Sequence, residues 1–344
     1  MKITKNNLIF SYKKPPLIIA EISGNHNGSK SRFLRLIEKA CKSGADLIKI
    51  QTYEPNDITL TKKNRLLKIK KGIWKGKYFF DLYKKACTPY KWHQSAFKIA
   101  KKHKKIIFSS PFSIKAVDFL EKLKVPIYKI ASFEITDYRL IDYIASKKKP
   151  IIISTGMATM MEINNAIKII ERHHKKIIIL HCVSNYPTEI KDTSLKKIKI
   201  LKEKFKKYYI GLSDHTNNIF SSIAALSLGV CAIEKHFTID NKKTPDSLFS
   251  INPEMMKNLK KTSVELFESL NKSKDIQVLN KNIKFRRSIF AKKNIKINEK
   301  ITTKNIISLR PKIGICASKY YKIIGKKAKK NIKTNDPIFK NYLL

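Results

Sequence analysis

Tyr209-Ile-Gly-Leu-Ser-Asp-His215 and Cys231-Ala-Ile-Glu-Lys-His-Phe237 are two apolar runs that read as β-strands, with the helical pattern Ile219-Phe-Ser-Ser-Ile-Ala-Ala-Leu226 between them. A strand, a helix and a second strand in so short a span make a βαβ unit with parallel strands. Side chains alternate along a strand, so Ser213 and His215 share one face, as do Glu234 and His236. Ile233 and Phe237 then face the other way, toward a covering helix. Two imidazoles and a carboxylate at neighbouring strand ends have the chemistry of a divalent-metal site. Spacing alone leaves open a second reading, in which both histidines are hydrogen-bonded structural residues.

Moving outward, runs rich in β-branched residues recur at 17–23, 46–51, 106–110, 127–132, 150–155, 177–182, 208–214 and 231–237. Segments of helical period separate most of them, for example Arg32-Phe-Leu-Arg-Leu-Ile-Glu-Lys-Ala40 and Ala158-Thr-Met-Met-Glu-Ile-Asn-Asn-Ala-Ile167. Eightfold strand–helix alternation predicts an α/β chain folded as a (β/α)8 TIM barrel. A doubly wound open sheet would carry a glycine-rich turn after its first strand, and Ser23-Gly-Asn-His-Asn-Gly28 does not match that fingerprint. Residues 53–90 exceed a plain connection and include Trp74, which suggests a lid or a subunit contact.

The composition changes near residue 283. Ala291-Lys-Lys-Asn-Ile-Lys-Ile-Asn-Glu299 recurs 37 positions later as Ala328-Lys-Lys-Asn-Ile-Lys-Thr-Asn-Asp336. Each copy reads as a strand, an asparagine-based turn and further extended chain. The expected organisation is therefore a barrel over 1–272, a linker over 273–282 and a small pseudo-symmetric β module over 283–344.

The net charge of +47 raises a nucleic-acid-binding alternative, but its distribution opposes it. Lysines are spread along the whole chain beside abundant Ile and Asn, with no arginine stripe interleaved with aromatics. Lys101-Lys102 and Lys147-Lys148-Lys149 fall at predicted helix ends, where cations suit the dipole. The five cysteines are scattered without a CxxC pair, as expected for reduced thiols in a cytoplasmic protein. The N-terminal apolar run Leu17-Ile-Ile-Ala20 is broken at once by Glu21, so neither a signal peptide nor a membrane span is expected.

In a barrel of this kind the chemistry gathers at the C-terminal ends of the strands. Those ends carry Glu21, Lys49 and Gln51, Ser110, Lys129 with Ser132 and Glu134, Ser154, Ser184 with Tyr186, Ser213 with His215, and Glu234 with His236. Inward-facing Lys49 and Lys129 among hydroxyls suit a phosphate or carboxylate. Ser132 differs in parity from Lys129, so it must lie beyond the strand to serve the same ligand. Glu21, Glu134 and Glu234 are available for proton transfer or for gripping sugar hydroxyls.

Ala20-Glu-Ile-Ser-Gly-Asn-His-Asn-Gly28, Lys49-Ile-Gln-Thr52, Ser110-Pro-Phe112, Tyr128-Lys-Ile-Ala-Ser132, Ser154-Thr-Gly156, Gly211-Leu-Ser-Asp-His215 and Glu234-Lys-His-Phe237 together resemble the sialic acid (nonulosonic acid) synthase family. The resemblance runs in unbroken order from residue 17 to the end of the chain, where the module looks like the family's antifreeze-like (SAF) domain. It implies condensation of phosphoenolpyruvate with an amino sugar. His215 and His236 would hold a divalent ion, Mn2+ or alternatively Mg2+ or Co2+. Phosphoenolpyruvate would lie against Lys49, Gln51, Ser110, Lys129, Ser132, Ser154, Ser184, Tyr186 and Ser213. Glu21, Glu234 and Asp246 would meet the sugar or metal-bound water, and Glu134 would move a proton. Arg310 of one subunit would cover the site of the other in a domain-swapped homodimer.

Gly72-Ile-Trp74, Leu82-Tyr83, Thr88-Pro-Tyr-Lys-Trp-His93, Asp246-Ser-Leu-Phe-Ser250 and Ser184 are similar to the branch of the family that makes pseudaminic acid. Legionaminate or N-acetylneuraminate synthesis is the alternative. Three departures stand out: Asn298 and Asn335 where glycine is common, Ser110 where threonine is frequent, and Lys242-Lys243 in a loop that is often acidic.

Overall fold

Both faces of a strand in a closed parallel barrel are buried, so such strands read as continuous apolar runs. In the computed structural model, which describes residues 1–3, 8–271 and 282–344, all eight isoleucine-rich runs become staves of one barrel. They are β1 (Leu17–Glu21), β2 (Leu47–Thr52), β3 (Ile106–Pro111), β4 (Tyr128–Ile130), β5 (Ile151–Ser154), β6 (Ile177–Cys182), β7 (Tyr209–Asp214) and β8 (Ala232–His236). The sheet is parallel throughout and closes by pairing β8 with β1. This is the expected (β/α)8 architecture. The chain divides into two compact units, Met1–Lys272 and Ser273–Leu344. Of the expected linker 273–282, residues 273–281 lie outside the described residues.

The helices after the staves are α1 (Lys30–Lys42), α2 (Tyr90–Lys102), α3 (Ile114–Lys122), α4 (Tyr138–Ser146), α5 (Met160–Glu171), α6 (Lys196–Lys204), α7 (Phe220–Ser227) and α8 (Pro253–Asn271). Local chemistry starts several of them. Ser29, Ser113 and Asp137 accept hydrogen bonds from Arg32, Ala116 and Leu140 N–H groups, and Thr159 with Glu162 forms a capping box. Outward residues such as Ile48, Ile50, Ile151, Ile153, Ile210 and Ile233 pack under the helices. Inward residues of the lower barrel (Ile19, Leu47, Phe108, Ile127, Ile152, Leu180 and Ala232) form a separate apolar layer that Phe10 joins.

The long insert after β2 contains a short helix, Phe79–Ala86, and a single bridge between Lys68 and Tyr78. Its Trp74 indole N–H reaches Pro245 O at 3.2 Å, which ties the insert to the loop after β8. That contact fits the lid reading of this stretch.

In the C-terminal unit the sequence repeat becomes a structural one. Asn298 N donates to Ala328 O and Asn335 N donates to Ala291 O, both at 2.8 Å, and Ile295 and Ile332 exchange both backbone bonds. Each pair of contacts is related by the repeat. Asn298 and Asn335 occupy the left-handed region at φ 65° and 69°, which asparagine tolerates. One expectation needs correction: the repeat segments do not form strands but meet through the isolated Ile295–Ile332 bridge. Asn331 Oδ1 accepts Ile297 N–H and Asn294 Oδ1 accepts Thr334 N–H, at 2.8 and 2.9 Å, so side chains take donors that a ladder would need. The regular strands of this unit are β9 (Ser288–Ala291) and β10 (Ile306–Leu309), which pair antiparallel, over a core including Ile289, Ile301, Ile323 and Ile338.

Candidate active site

At the C-terminal ends of the staves the inward layer changes from hydrocarbon to charge. Lys49 Nζ lies 2.7 Å from Glu21 Oε2 and 3.2 Å from Glu234 Oε1, while Lys129 Nζ lies 3.6 Å from the same Glu234 oxygen. All four side chains are nearly inaccessible to solvent. Burial disfavours the charge on Glu234, but Lys129 and Lys49 outweigh it and lower its pKa to about 2. Burial likewise opposes the Lys49 ammonium, and two carboxylates overcome it and raise its pKa. Burial raises Glu21 and lowers Lys129, so these are the members of the quartet closest to losing their charge. Sequence reading placed both lysines on a ligand; the structure shows Lys49 held between two carboxylates and Lys129 the less tightly paired.

Around Lys129 lies a set of hydroxyls without partners. The Oγ atoms of Ser110, Ser154 and Ser184 are buried and make no hydrogen bond, a condition that costs free energy unless a ligand or water completes it. Ser132 sits on a short 3-10 turn after β4, as its parity requires, with its Oγ 2.9 Å from Cys182 Sγ. Gly156, at φ 37°, brings the loop after β5 so close that a Cβ there would collide with Ser132 and Ser184. Lys129, Ser110, Ser154, Ser184 and the Gly156 turn thus form a cradle of donors suited to a small polyanion. Glu134, on the same turn as Ser132, has an unpartnered buried Oε2, and burial raises its pKa to about 7.

The two histidines converge on the other side of the mouth. Their rings are 5.4 Å apart between centroids. His215 Nδ1 lies 2.8 Å from Val183 O; a carbonyl can only accept, so Nδ1 carries the proton and Nε2 keeps its lone pair. His215 Nε2 has only a 3.4 Å contact with Ser213 Oγ, and His236 Nδ1 is buried with no partner. Desolvation lowers the His215 pKa to about 4 and puts His236 well below its ordinary value. Two neutral imidazoles with spare lone pairs fit a divalent ion that needs two nitrogen ligands and open positions. Among the described residues no group of three or more His, Cys, Asp or Glu side chains is arranged to hold a metal.

Several expected ligand contacts are instead internal. Ser213 Oγ donates to Glu234 Oε1 at 3.2 Å, and Gln51 Nε2 donates to Ser23 Oγ at 2.7 Å. Tyr186 packs on the His215 ring, 4.4 Å between centroids, and so belongs to the imidazole side of the mouth. Asp246 Oδ2 accepts the Gly24 N–H at 2.7 Å, and burial raises its pKa to about 6. Asn25 ties the same two loops through Phe237 O and Ser250 Oγ at 2.9 and 2.8 Å. Arg310 is exposed in the C-terminal unit.

An aromatic wall joins Tyr186, which the sequence reading placed on a ligand, and Trp74, which it placed in a lid or subunit contact, to Phe249, which it gave no role in the site. Phe249 lies 4.7 Å from His236 and 5.1 Å from Tyr186, and Trp74 lies 5.9 Å from Tyr186. These rings come from loops without periodicity, so no pattern announces them. Cys182 was also passed over, although its inward parity with Leu180 places it in the cradle.

Residues 36–275 match the NeuB family and residues 286–344 match the SAF domain. The chain is 40% identical over 334 residues to pseudaminic acid synthase of Campylobacter jejuni, covering 96% of this chain and 97% of that one. It is 36% identical over 333 residues to the N,N'-diacetyllegionaminic acid synthase of the same species, covering 94% and 99%. The crystal structure of N-acetylneuraminic acid synthetase from Leptospira borgpetersenii is similar at a TM-score of 0.73 and 28% identity, covering 82% of this chain and 95% of that one.

Proposed function

Because the chain belongs to the NeuB family and ends in a SAF domain, we propose that it joins phosphoenolpyruvate to 2,4-diacetamido-2,4,6-trideoxy-L-altrose, with water, giving pseudaminic acid and phosphate. It is an enzyme that forms a carbon–carbon bond. The observation that carries this reading is the meeting of Lys129 and a set of unpartnered serine hydroxyls with a pair of neutral imidazoles at one barrel mouth. Condensing a phosphorylated enol with an aldehyde needs both halves: one to hold the phosphate and one to activate the carbonyl.

A divalent ion, proposed as Mn2+ with Mg2+ and Co2+ as alternatives, would be held by His215 and His236 and would supply Lewis acidity at the sugar aldehyde. The remaining work falls to side chains. Lys129 and the hydroxyls of Ser110, Ser154 and Ser184 grip the phosphate and stabilise the charge that grows as its C–O bond breaks. Lys49 stays an ammonium between Glu21 and Glu234 and keeps both carboxylates oriented toward the sugar side. Water adds at C2 of phosphoenolpyruvate while C3 bonds to C1 of the open-chain sugar. Glu134, titrating near neutrality, moves the proton this step requires. Trp74, Tyr186 and Phe249 keep water from the imidazoles and offer apolar surface to a sugar bearing a methyl and two acetamido groups.

We further propose a cytoplasmic homodimer in which Arg310 of one subunit caps the site of the other. Among the described residues no helix is long and apolar enough to cross a membrane.

The test offers the purified protein phosphoenolpyruvate with the trideoxy-altrose, the legionaminate precursor or N-acetylmannosamine, each with and without Mn2+. Phosphate release that needs both a sugar and the ion, with pseudaminic acid identified by mass spectrometry and nuclear magnetic resonance, is the expected result. Preferred turnover of either other sugar would overturn the pseudaminate assignment, and phosphate release without any sugar would overturn the synthase reading.

A further inference from the structure

Behind the histidines, on the outward face of the barrel, lies a second charged pair. We propose that Lys235 and Asp214 form a buried clamp that positions His215 and His236, making Lys235 a positioning residue for the metal ligands. The two are register partners across the β7–β8 ladder, each directly adjacent in sequence to one of the histidines. Lys235 is fully buried and Asp214 nearly so. Lys235 Nζ lies 3.3 Å from Asp214 Oδ2 and donates to Thr216 O at 2.5 Å and Thr216 Oγ1 at 3.2 Å. Asp214 also accepts the Thr216 N–H at 2.9 Å and the Ser222 hydroxyl of α7 at 2.6 Å. His215 is thereby bracketed by two residues that a single ammonium holds, and that ammonium grows from the residue before His236.

Stability does not explain this arrangement. A buried ion pair commonly gives little over a well-packed apolar pair, because desolvating the charges offsets their attraction. Ile50, Ile130 and Ile153 fill outward positions near the C-terminal ends of other staves, so hydrocarbon is the local norm. What the pair adds is direction: a network satisfied at every polar atom fixes two strand ends in one geometry. Two ligands spaced for one ion need that constraint, and groups that orient metal ligands from behind alter affinity markedly when removed.

This inference rests on the reading of His215 and His236 as metal ligands, so the test separates the two. Mn2+ binding to the metal-free full-length protein is titrated calorimetrically for wild type, Lys235→Met and His236→Ala, with thermal unfolding recorded in the absence of metal. His236→Ala is expected to abolish measurable binding. Lys235→Met is expected to weaken Mn2+ about 10- to 100-fold and also to lower metal-free stability, because it leaves the Asp214 carboxylate buried without its cation. Should Lys235→Met fail to fold, the double variant Lys235→Met/Asp214→Asn, which leaves no unpaired buried charge, is titrated instead with the same expectation. Mn2+ affinity within about twofold of wild type in the folded variant, with His236→Ala defective, would overturn the clamp alone. Undiminished binding by His236→Ala would overturn the metal reading and the clamp with it.

Discussion

Two layers of the same eight strands, one turn of the pleat apart, differ completely in chemistry. Ile19, Leu47, Phe108, Ile127, Ile152, Leu180 and Ala232 close the lower barrel with hydrocarbon. Two residues further along the same strands stand Glu21, Lys49, Ser110, Lys129, Ser154, Cys182 and Glu234, all buried. The backbone is continuous and the parity identical, so the difference is purely one of side chains. The lower layer gives the upper one an apolar floor, and burial at the mouth moves Glu134 and Asp246 up and the imidazoles down. Stability resides in one layer and reactivity in the other, and each can be perturbed separately.

The largest expected effect lies in the floor. Phe108→Ala would remove a fully buried ring from the barrel interior and leave a cavity, at a cost of about 3–5 kcal/mol in unfolding free energy. Urea unfolding measures it. A loss under about 1 kcal/mol would mean the floor repacks, and the division of labour would fail. One layer up, Lys129→Met exchanges a desolvated cation for an apolar side chain of similar length. Turnover is expected to fall about 10²- to 10³-fold, or roughly 3–4 kcal/mol of transition-state stabilisation, with unfolding changed far less. Retention of turnover within about tenfold would remove Lys129 from the phosphate site.

Glu134 sharpens the comparison through pH. Its folded pKa, about 7, lies above the ordinary 4.5, so folding favours its protonated form. The stability it contributes is fully present below about pH 4.5 and is lost as pH rises through 7. The loss is on the order of 2–3 kcal/mol once its partial exposure is allowed for. Glu134→Gln cannot ionise, so it should exceed wild type in stability at pH 8, converge with it near pH 4.5, and lose most turnover. Parallel wild-type and Glu134→Gln stability curves across that range would show that the carboxyl is not held near neutrality.

The strands were legible because both faces are buried: a run such as Ile151-Ile-Ile-Ser154 reads as a buried parallel strand, and eight such runs alternating with helices point to a barrel. Inward parity then exposed the polar layer, and the repeat at 291 and 328 exposed the pseudo-symmetry of the C-terminal unit, down to its two asparagine turns. Partnerships across strands were not legible. No spacing says that Ser213 donates to Glu234, that Gln51 reaches back to Ser23, or that Lys235 pairs with Asp214 behind the barrel wall, because each depends on register between segments far apart in sequence. The aromatic wall was hidden for a related reason: Phe249 meets His236, and Trp74 meets Tyr186, only after two irregular loops fold over the mouth.

The smallest expected effects set the two layers side by side on one strand. Ile152 and Ser154 occupy consecutive inward positions of β5, and both are buried. Ile152→Val deletes one methylene from the floor and should cost about 0.5–1.5 kcal/mol of stability while leaving kcat/KM for phosphoenolpyruvate unchanged. Ser154→Ala deletes a hydroxyl that has no partner in the protein. Removing it relieves an unsatisfied buried group, so stability should hold or rise by up to about 1 kcal/mol. The same change should lower kcat/KM about tenfold, the equivalent of about 1.4 kcal/mol, because the hydroxyl's only partner is the ligand. The two variants should therefore err in opposite directions on opposite assays. If Ser154→Ala instead lost stability and kept its kinetics, the hydroxyl would be serving the fold, and the boundary between floor and cradle would have to be drawn one residue pair higher on this strand.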